Sequence, residues 1–456
     1  MTSRACRRLL YILLLFGIGL PVAQYFAVFS PGLRSYVWVL IRKPPQWLTW
    51  LLLAELLGSV LFVATLLKTS ARDHRADSAS PALLQSPPLK RLLYGGLATC
   101  VLFGSAALGL HFSSGYEGDY TGWIKIANKP DLIPSEPLGR WSHYACFKML
   151  EVIGVASNDL AMRVSSVLSG CLFIAAIWVF GRRALPYAPR TVVILILLFS
   201  PLIALFCGYR ENTPLAYALS ATYLLLGLRY IHLRLRRSPW PETLVLALAI
   251  WSHGAICFLT AAHLVLAALW FMRTHNIKQV EVFAALQLFA LCIAPFMPLV
   301  LTMAAAYILK LPGPWFGNAL GGGDLGMFVD FTGHPTGSQH TIWSRTYWLN
   351  IANLIVYACP VLPVVLYAAT TGTRAKDPAT CFLTAGFLGM LALALTWNPD
   401  IGYIKDFDLL AGFAIPAHLL LLHKLQHCTP RCQLGFALPY AVINLTLHVL
   451  PFSEAI

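Results

Sequence analysis

Acidic residues are scarce in this chain, with 19 Asp and Glu among 456 positions, and charged residues of either sign make up 11% of the total against 58% hydrophobic. Soluble domains carry about 25% charged residues. The shortage excludes a chain that packs one core and covers it with a charged surface. A bilayer accepts such a composition, because about 20 apolar residues per helix cross it with every backbone group satisfied internally. Short alternating apolar segments are also lacking, which sets a β-barrel aside. No internal repeat is evident, as a transporter built from two related halves would show.

What is present is basic. Lys and Arg number 33, leaving a formal charge of +14. These residues cluster in short loops between apolar runs, as in Gly181-Arg182-Arg183 and Arg234 to Arg237, which is the pattern of cytoplasmic loops rather than of a nucleic-acid surface. No nucleic-acid partner is expected. The 11 cysteines are scattered, many within apolar runs, and read as small buried hydrophobes. His423, His427, Cys428 and Cys432 have metal-like spacing but sit beside Lys424 and Arg431, so they are read as a solvated cytoplasmic loop.

The apolar runs lie near 9–29, 48–67, 92–111, 159–180, 191–207, 213–231, 241–256, 257–272, 282–304, 346–369, 379–396, 405–424 and 433–451. The expected fold is therefore an all-α polytopic membrane protein with about 13 transmembrane helices. Arg4, Arg7 and Arg8 precede the first run, which is too long for a signal-peptide core and is read as an uncleaved helix starting in the cytoplasm. The expected organisation is a two-helix N-terminal appendage over 1–67 and a Pro/Ser-rich cytoplasmic linker over 68–91. A main membrane domain over 92–425, with outer loops at 112–158 and 305–345, and a C-terminal helix over 426–456 follow.

The segment 136–153, "EPLGRWSHYACFKMLEVI", is long enough to be counted as a span, but crossing there would place the later arginine clusters outside. It is read instead as an amphipathic helix on the outer surface, with Trp141 and Tyr144 at headgroup level. That topology gathers Glu117, Asp119, Asp131, Glu136, Glu211, Asp324, Asp330, Asp400, Asp406 and Asp408 on the outer side. Glu55, inside the second run and so in the appendage, is assigned to helix-to-helix contact.

Four outer segments carry candidate chemistry. In "GYEGDY", Glu117 and Asp119 stand where a carboxylate can take a proton from an acceptor hydroxyl. In "FCGYREN", Arg210 is a fixed cation able to grip a phosphate, with Glu211 to orient it and Asn212 beside it. In "WNPDIGYIKDFDLLAG", Lys405 is a second phosphate candidate among Asp400, Asp406 and Asp408. His253, in "WSHG", is a further candidate at a helix end. The Gly-rich stretch within 305–345 follows no strand, so it fits a lid better than a nucleotide-binding turn.

In their order along the chain, "EPLGRWSHY", "LAMRVSSVLSG" and "GRR" resemble the N-terminal region of the GT-C superfamily of membrane glycosyltransferases, in the manner of protein O-mannosyltransferases and lipid A aminoarabinose transferases. "FCGYREN", "SHG", "YWLNIANLIVYACP" and "NPDIGYIKDFDLLA" resemble a bacterial branch whose usual forms are "FGYVENY" and "NPDLGxxxDWDLF". The resemblance covers about residues 95–425. It implies a GT-C-like fold with a juxtamembrane helix in the first outer loop, a polyprenyl-phosphate-linked sugar as donor, and a glycan, lipid or protein acceptor. It also implies inversion at the anomeric carbon and an active site on the outer face of a bacterial inner membrane. Asp119 takes the base position with Glu117 as its neighbour, since the adjacent Asp-Glu pair of the mannosyltransferases is Glu-Gly-Asp here. Arg210, Lys405 and His253 are assigned to the donor phosphate. Glu136, Glu211, Asn212, Asp400, Asp406 and Asp408 are assigned to support or to the acceptor side. No metal is required for cations to stabilise a leaving phosphate, although Asp400 and Asp406 are able to hold a divalent cation. A polytopic transporter, a lipid or polysaccharide flippase and a surface-polysaccharide polymerase are the alternatives.

Overall fold

A computed structural model describes residues 89–109, 124–130, 136–275, 282–309, 329–333, 341–363, 365–366, 377–398 and 407–448, together with 54, 55 and 57. Helices dominate the described residues. In chain order they are α1 (Leu89–Gly109), α2 (Pro137–Val152), α3 (Asn158–Ala184), α4 (Arg190–Leu197), α5 (Thr213–His232) and α6 (Trp240–Ser252). A 3-10 turn leads into α7 (Thr260–Thr274), followed by α8 (Val282–Ile293), α9 (Met297–Ile308), α10 (Arg345–Ala358), α11 (Pro378–Thr396), α12 (Ala414–Leu425) and α13 (Pro430–His448).

The expectation of about 13 spans does not hold. Among the described residues four helical segments are long and apolar enough to cross a membrane: Asn158–Ala184, Gly254–Thr274, Val282–Ile308 and Pro378–Thr396. These four are consistent with an integral membrane protein. The physical reason for the difference is that apolar runs also arise where helices bury one another. α5 is enclosed on nearly every side by other helices, and its Tyr217, Tyr223 and Tyr230 are among the largest fully buried side chains. The run 191–207 breaks at Ser200-Pro201 into α4, of 8 residues, and a single turn at Ile203–Phe206. α6 has 13 residues, about 20 Å at 1.5 Å per residue, short of a hydrocarbon core about 30 Å thick. The runs 9–29 and 48–67 fall almost wholly outside the described residues. So do residues 68–88 of the expected 68–91 linker, whose last three residues begin α1, and most of the 305–345 loop.

Two ends of the bundle are set by α3 and α5. Ser157 caps α3 by accepting the Leu160 N–H at 3.2 Å, and Asp159 lies in the first turn, where an acid is favoured by the helix dipole. Arg182 and Arg183 lie in its last turn, roughly 35 Å away along the axis. α11 runs against α5. Asp377 at its start bonds His423, whose ring is 5.6 Å from that of His232 at the close of α5. Its far end, Thr396, accepts the Val329 N–H at 2.9 Å. Tyr217, near the start of α5, donates to the Leu409 carbonyl at 2.9 Å. The described part of "WNPDIGYIKDFDLLAG" thus lies toward the end where α5 and α3 begin.

His423 is not in a solvated loop. It is buried in the last turn of α12, with Nε2 2.6 Å from Asp377 Oδ2 and Nδ1 accepting from Gln426 at 3.0 Å. Among the described residues no group of three or more His, Cys, Asp or Glu is placed to hold a metal ion. Glu55 makes an interhelical contact, with the C-terminal helix: its Oε1 accepts from Thr446 of α13 at 2.8 Å.

Candidate functional site

Glu136 stands at the start of α2, directly before Pro137, whose missing N–H suits a first helical turn. It occupies the N-cap position but its carboxylate does not cap the helix. Instead Oε2 accepts from Asn212 Nδ2 at 2.5 Å and Oε1 lies 3.2 Å from His253 Nε2. Three distant stretches of sequence therefore meet at one carboxylate.

Each stretch is brought there by a local device. Gly208, at φ 84°, lets the chain turn after Phe206 so that Arg210, Glu211 and Asn212 fold in before α5. All three are buried. His253 ends α6 in an extended conformation, and its Nδ1 accepts the Ala255 N–H at 3.2 Å, capping the following 3-10 turn. That bond places the ring proton on Nε2, where it is donated to Glu136. Both ring nitrogens of His253 thus have protein partners. α2 packs closely enough that a Cβ at Gly139 would stand 2.8 Å from the Ser252 carbonyl and 3.2 Å from that of Asn212. Glycine at 139 is what admits the contact.

Burial works to raise the Glu136 pKa, but its interaction with His253, the Asn212 hydrogen bond and the nearby His143 outweigh it, leaving the group below the usual carboxylate range. Glu136 is an ionised acceptor held by two donors. One turn beyond Gly139 on the same helix, His143 is buried, and its pKa is pushed down to about 4 by burial first and by the Arg140 charge second. Glu136 and the Glu211 carbonyl oppose that shift.

The sign of the resulting pH dependence follows directly. Between about 4 and 6.5 the unfolded chain protonates this imidazole and the folded chain does not, so stability falls as pH drops through that window. The full difference corresponds to roughly 3 kcal/mol. Glu136 adds to it at lower pH, since the contribution of a depressed carboxyl is present above its unfolded value and is lost as pH falls through the folded one. Thermal melts of the detergent-purified protein from pH 7 to pH 4 are expected to decline across the window, and His143→Gln is expected to flatten the decline. An unchanged slope in that variant would assign the loss to other groups.

A second network borders the first. Asp159 Oδ1 lies 2.7 Å from Arg210 Nη1, and its Oδ2 lies 2.7 Å from Arg163 Nε. Arg140, fully buried in α2, donates to the Lys129 carbonyl at 3.1 Å, and Asn158 donates to the Ile124 carbonyl at 2.8 Å. These two bonds tie the described end of the first outer loop, 124–130, to the starts of α2 and α3.

No protein-family model matches the chain, and no curated protein matches it. One solved structure is similar. It is ArnT from Cupriavidus metallidurans, crystallised bound to undecaprenyl phosphate, with a TM-score of 0.47 and 14% identity over 74% of this chain and 61% of that one. The chain spans less than two thirds of that protein's length. The likeness is distant and partial.

Of the residues singled out in the sequence, Glu136, Asn212 and His253 meet directly, with Arg210 and Glu211 in the same turn as Asn212. Asp330 is buried elsewhere, its Oδ1 accepting from the Thr332 hydroxyl at 2.6 Å. Glu117, Asp119, Asp131, Asp324, Asp400, Lys405 and Asp406 lie outside the described residues, as does the side chain of Asp408. Asp159, Arg140 and His143 were not among the candidates. Asp159 precedes Arg163 by four residues, the spacing of an ion pair along a helix, and that was their one legible signal.

Proposed function

We propose that the chain is a membrane glycosyltransferase that moves a sugar from a polyprenyl-phosphate-linked donor to a lipid-linked or exported acceptor at the end of the bundle marked by Glu136. The observation that carries this reading is the carboxylate of Glu136 fixed by Asn212 and His253 beside the Arg210–Asp159–Arg163 network. Residues from three separate stretches, Glu136, Asn212 and His253, meet there. Asp119 is assigned as general base, with Glu117 as its neighbour. Asp119 precedes Ile124, whose carbonyl is anchored at the start of α3, by five residue steps, and five steps reach at most about 18 Å.

In this reading the base takes the proton of the acceptor hydroxyl as its oxygen attacks the anomeric carbon, with inversion, while the bond to the lipid phosphate breaks. Glu136, held below the usual carboxylate range, is a poor proton acceptor at neutral pH and a good hydrogen-bond acceptor, which suits it to orient the acceptor hydroxyl. His253 positions Glu136. Arg210, oriented by Asp159, and Lys405 meet the charge that develops on the leaving phosphate. The active face is assigned to the outer side of the membrane, where the short basic loops are not.

The test is Asp119→Asn, assayed for release of polyprenyl phosphate from a panel of polyprenyl-phosphate sugars. Turnover is expected to fall about 10³-fold while the melting temperature and donor retention stay unchanged. Wild-type turnover in that variant would remove Asp119 as the base.

A further inference from the structure

The opposite end of the bundle holds charge that the proposed chemistry does not use. Arg183 closes α3, Arg229 lies in the last turn of α5, Arg237 follows α5, and Arg273 lies in the last turn of α7. Arg183 and Arg237 both act on Arg229 as like charges, and Arg273 and Arg237 both act on Tyr230. Among the described residues a carboxylate in contact with them is Glu242, buried and committed to Arg237 through two bonds of 3.0 and 2.7 Å.

A cation at the C-terminus of a helix is favoured by the helix dipole, which accounts for each arginine taken singly. It does not account for Arg183, Arg229, Arg237 and Arg273 standing at one end of the bundle where the carboxylate of Glu242 is already committed to Arg237. The Arg229 guanidinium sits 5.9 Å from the Phe180 ring, and its Nε is screened from solvent with no hydrogen-bond partner among the described residues. Nη1 of Arg273 is in the same condition. Donors shielded from water and facing no acceptor are costly unless an anion completes them.

We propose that this end carries a binding site for the phosphate group of an anionic phospholipid, formed by Arg183, Arg229, Arg237 and Arg273. Two observations favour a lipid over a soluble phosphate. Arg183 and Arg273 terminate two segments long enough to cross a membrane, Asn158–Ala184 and Gly254–Thr274, both of which start at the end of the bundle that holds Glu136. The flanking surface is apolar and exposed at Leu233, Trp240 and Met272, which suits acyl chains and an interfacial aromatic. The site is independent of the glycosyltransferase reading.

The experiment uses the full chain in nanodiscs of phosphatidylglycerol or phosphatidylcholine with matched acyl chains, read by thermal melting and by native mass spectrometry of retained lipid. Phosphatidylglycerol is expected to stabilise the protein and to be retained about tenfold better, with the preference shrinking as salt is raised. The double variant Arg229→Gln, Arg273→Gln is expected to lose the preference, and Lys148→Gln, an exposed lysine paired with Glu151 on α2, is expected to keep it. Equal behaviour of wild type in the two lipids would overturn the proposal without need of any variant. So would a preference that survives the double substitution, or equal stabilisation by inorganic phosphate added to phosphatidylcholine discs.

Discussion

Replacing Glu136 by glutamine is expected to lower sugar transfer about 10²-fold while costing about 1–2 kcal/mol of stability. The substitution keeps the volume of the side chain and removes its charge. It also sets an amide N–H₂ against one of two donors, because Asn212 Nδ2 and His253 Nε2 each point at a Glu136 oxygen. His253 has no ready way to accommodate it. Moving its proton from Nε2 to Nδ1 would break the bond from the Ala255 N–H that caps the next turn. The stability loss reports this donor conflict, whereas the activity loss reports the missing acceptor at the site. Glu136→Gln with wild-type turnover and a lowered melting temperature would make the carboxylate a structural tie alone.

Asp159→Ala is the second substitution with a large expected effect. One carboxylate holds two guanidiniums, with Arg210 side-chain exposure at 4% and Arg163 at 12%. Removing the shared partner of a buried ion pair costs about 3–5 kcal/mol. Asp159 itself is one-third exposed and both arginines have other interactions, so about 2–3 kcal/mol is expected here. Asp159→Asn, which still accepts one bond, is expected to lose about half as much. Combining Asp159→Ala with Arg210→Met gives a double-mutant cycle, and a combined loss smaller than the sum of the two separate losses is the expected outcome. Additive losses would mean that the 2.7 Å contact carries no coupling.

That 136–153 folds as a helix of its own was legible from its apolar and aromatic pattern. What the structure shows of it is a helix at those bounds: α2 spans Pro137–Val152 with Trp141 half exposed. The polar turn 206–212 was legible for a similar reason, since polar residues stand out between apolar runs. The count of spans was not legible. Hydropathy registers that a helix avoids water, and α5 avoids it by burial among other helices, so 213–231 looks the same as a lipid-facing helix. The pairing of Glu136 with His253 was not legible either. Nothing in one sequence indicates that the end of α6 stops against the start of α2, which depends on glycine at position 139 and on the turn at Gly208. His143 was missed for the same reason, as its environment is made by the carbonyl of Glu211 and the charges of Arg140 and Glu136.

The most direct test of a lipid-linked donor is native mass spectrometry of the full chain purified in mild detergent, with lipid classes resolved. Co-purification of a polyprenyl phosphate or a polyprenyl-phosphate sugar, reduced in Arg210→Ala, is the expected result, and the mass of a retained sugar would define the donor class. Recovery of bulk phospholipid alone across several gentle preparations would contradict a polyprenyl-phosphate donor and leave the Glu136 cluster without the chemistry assigned to it.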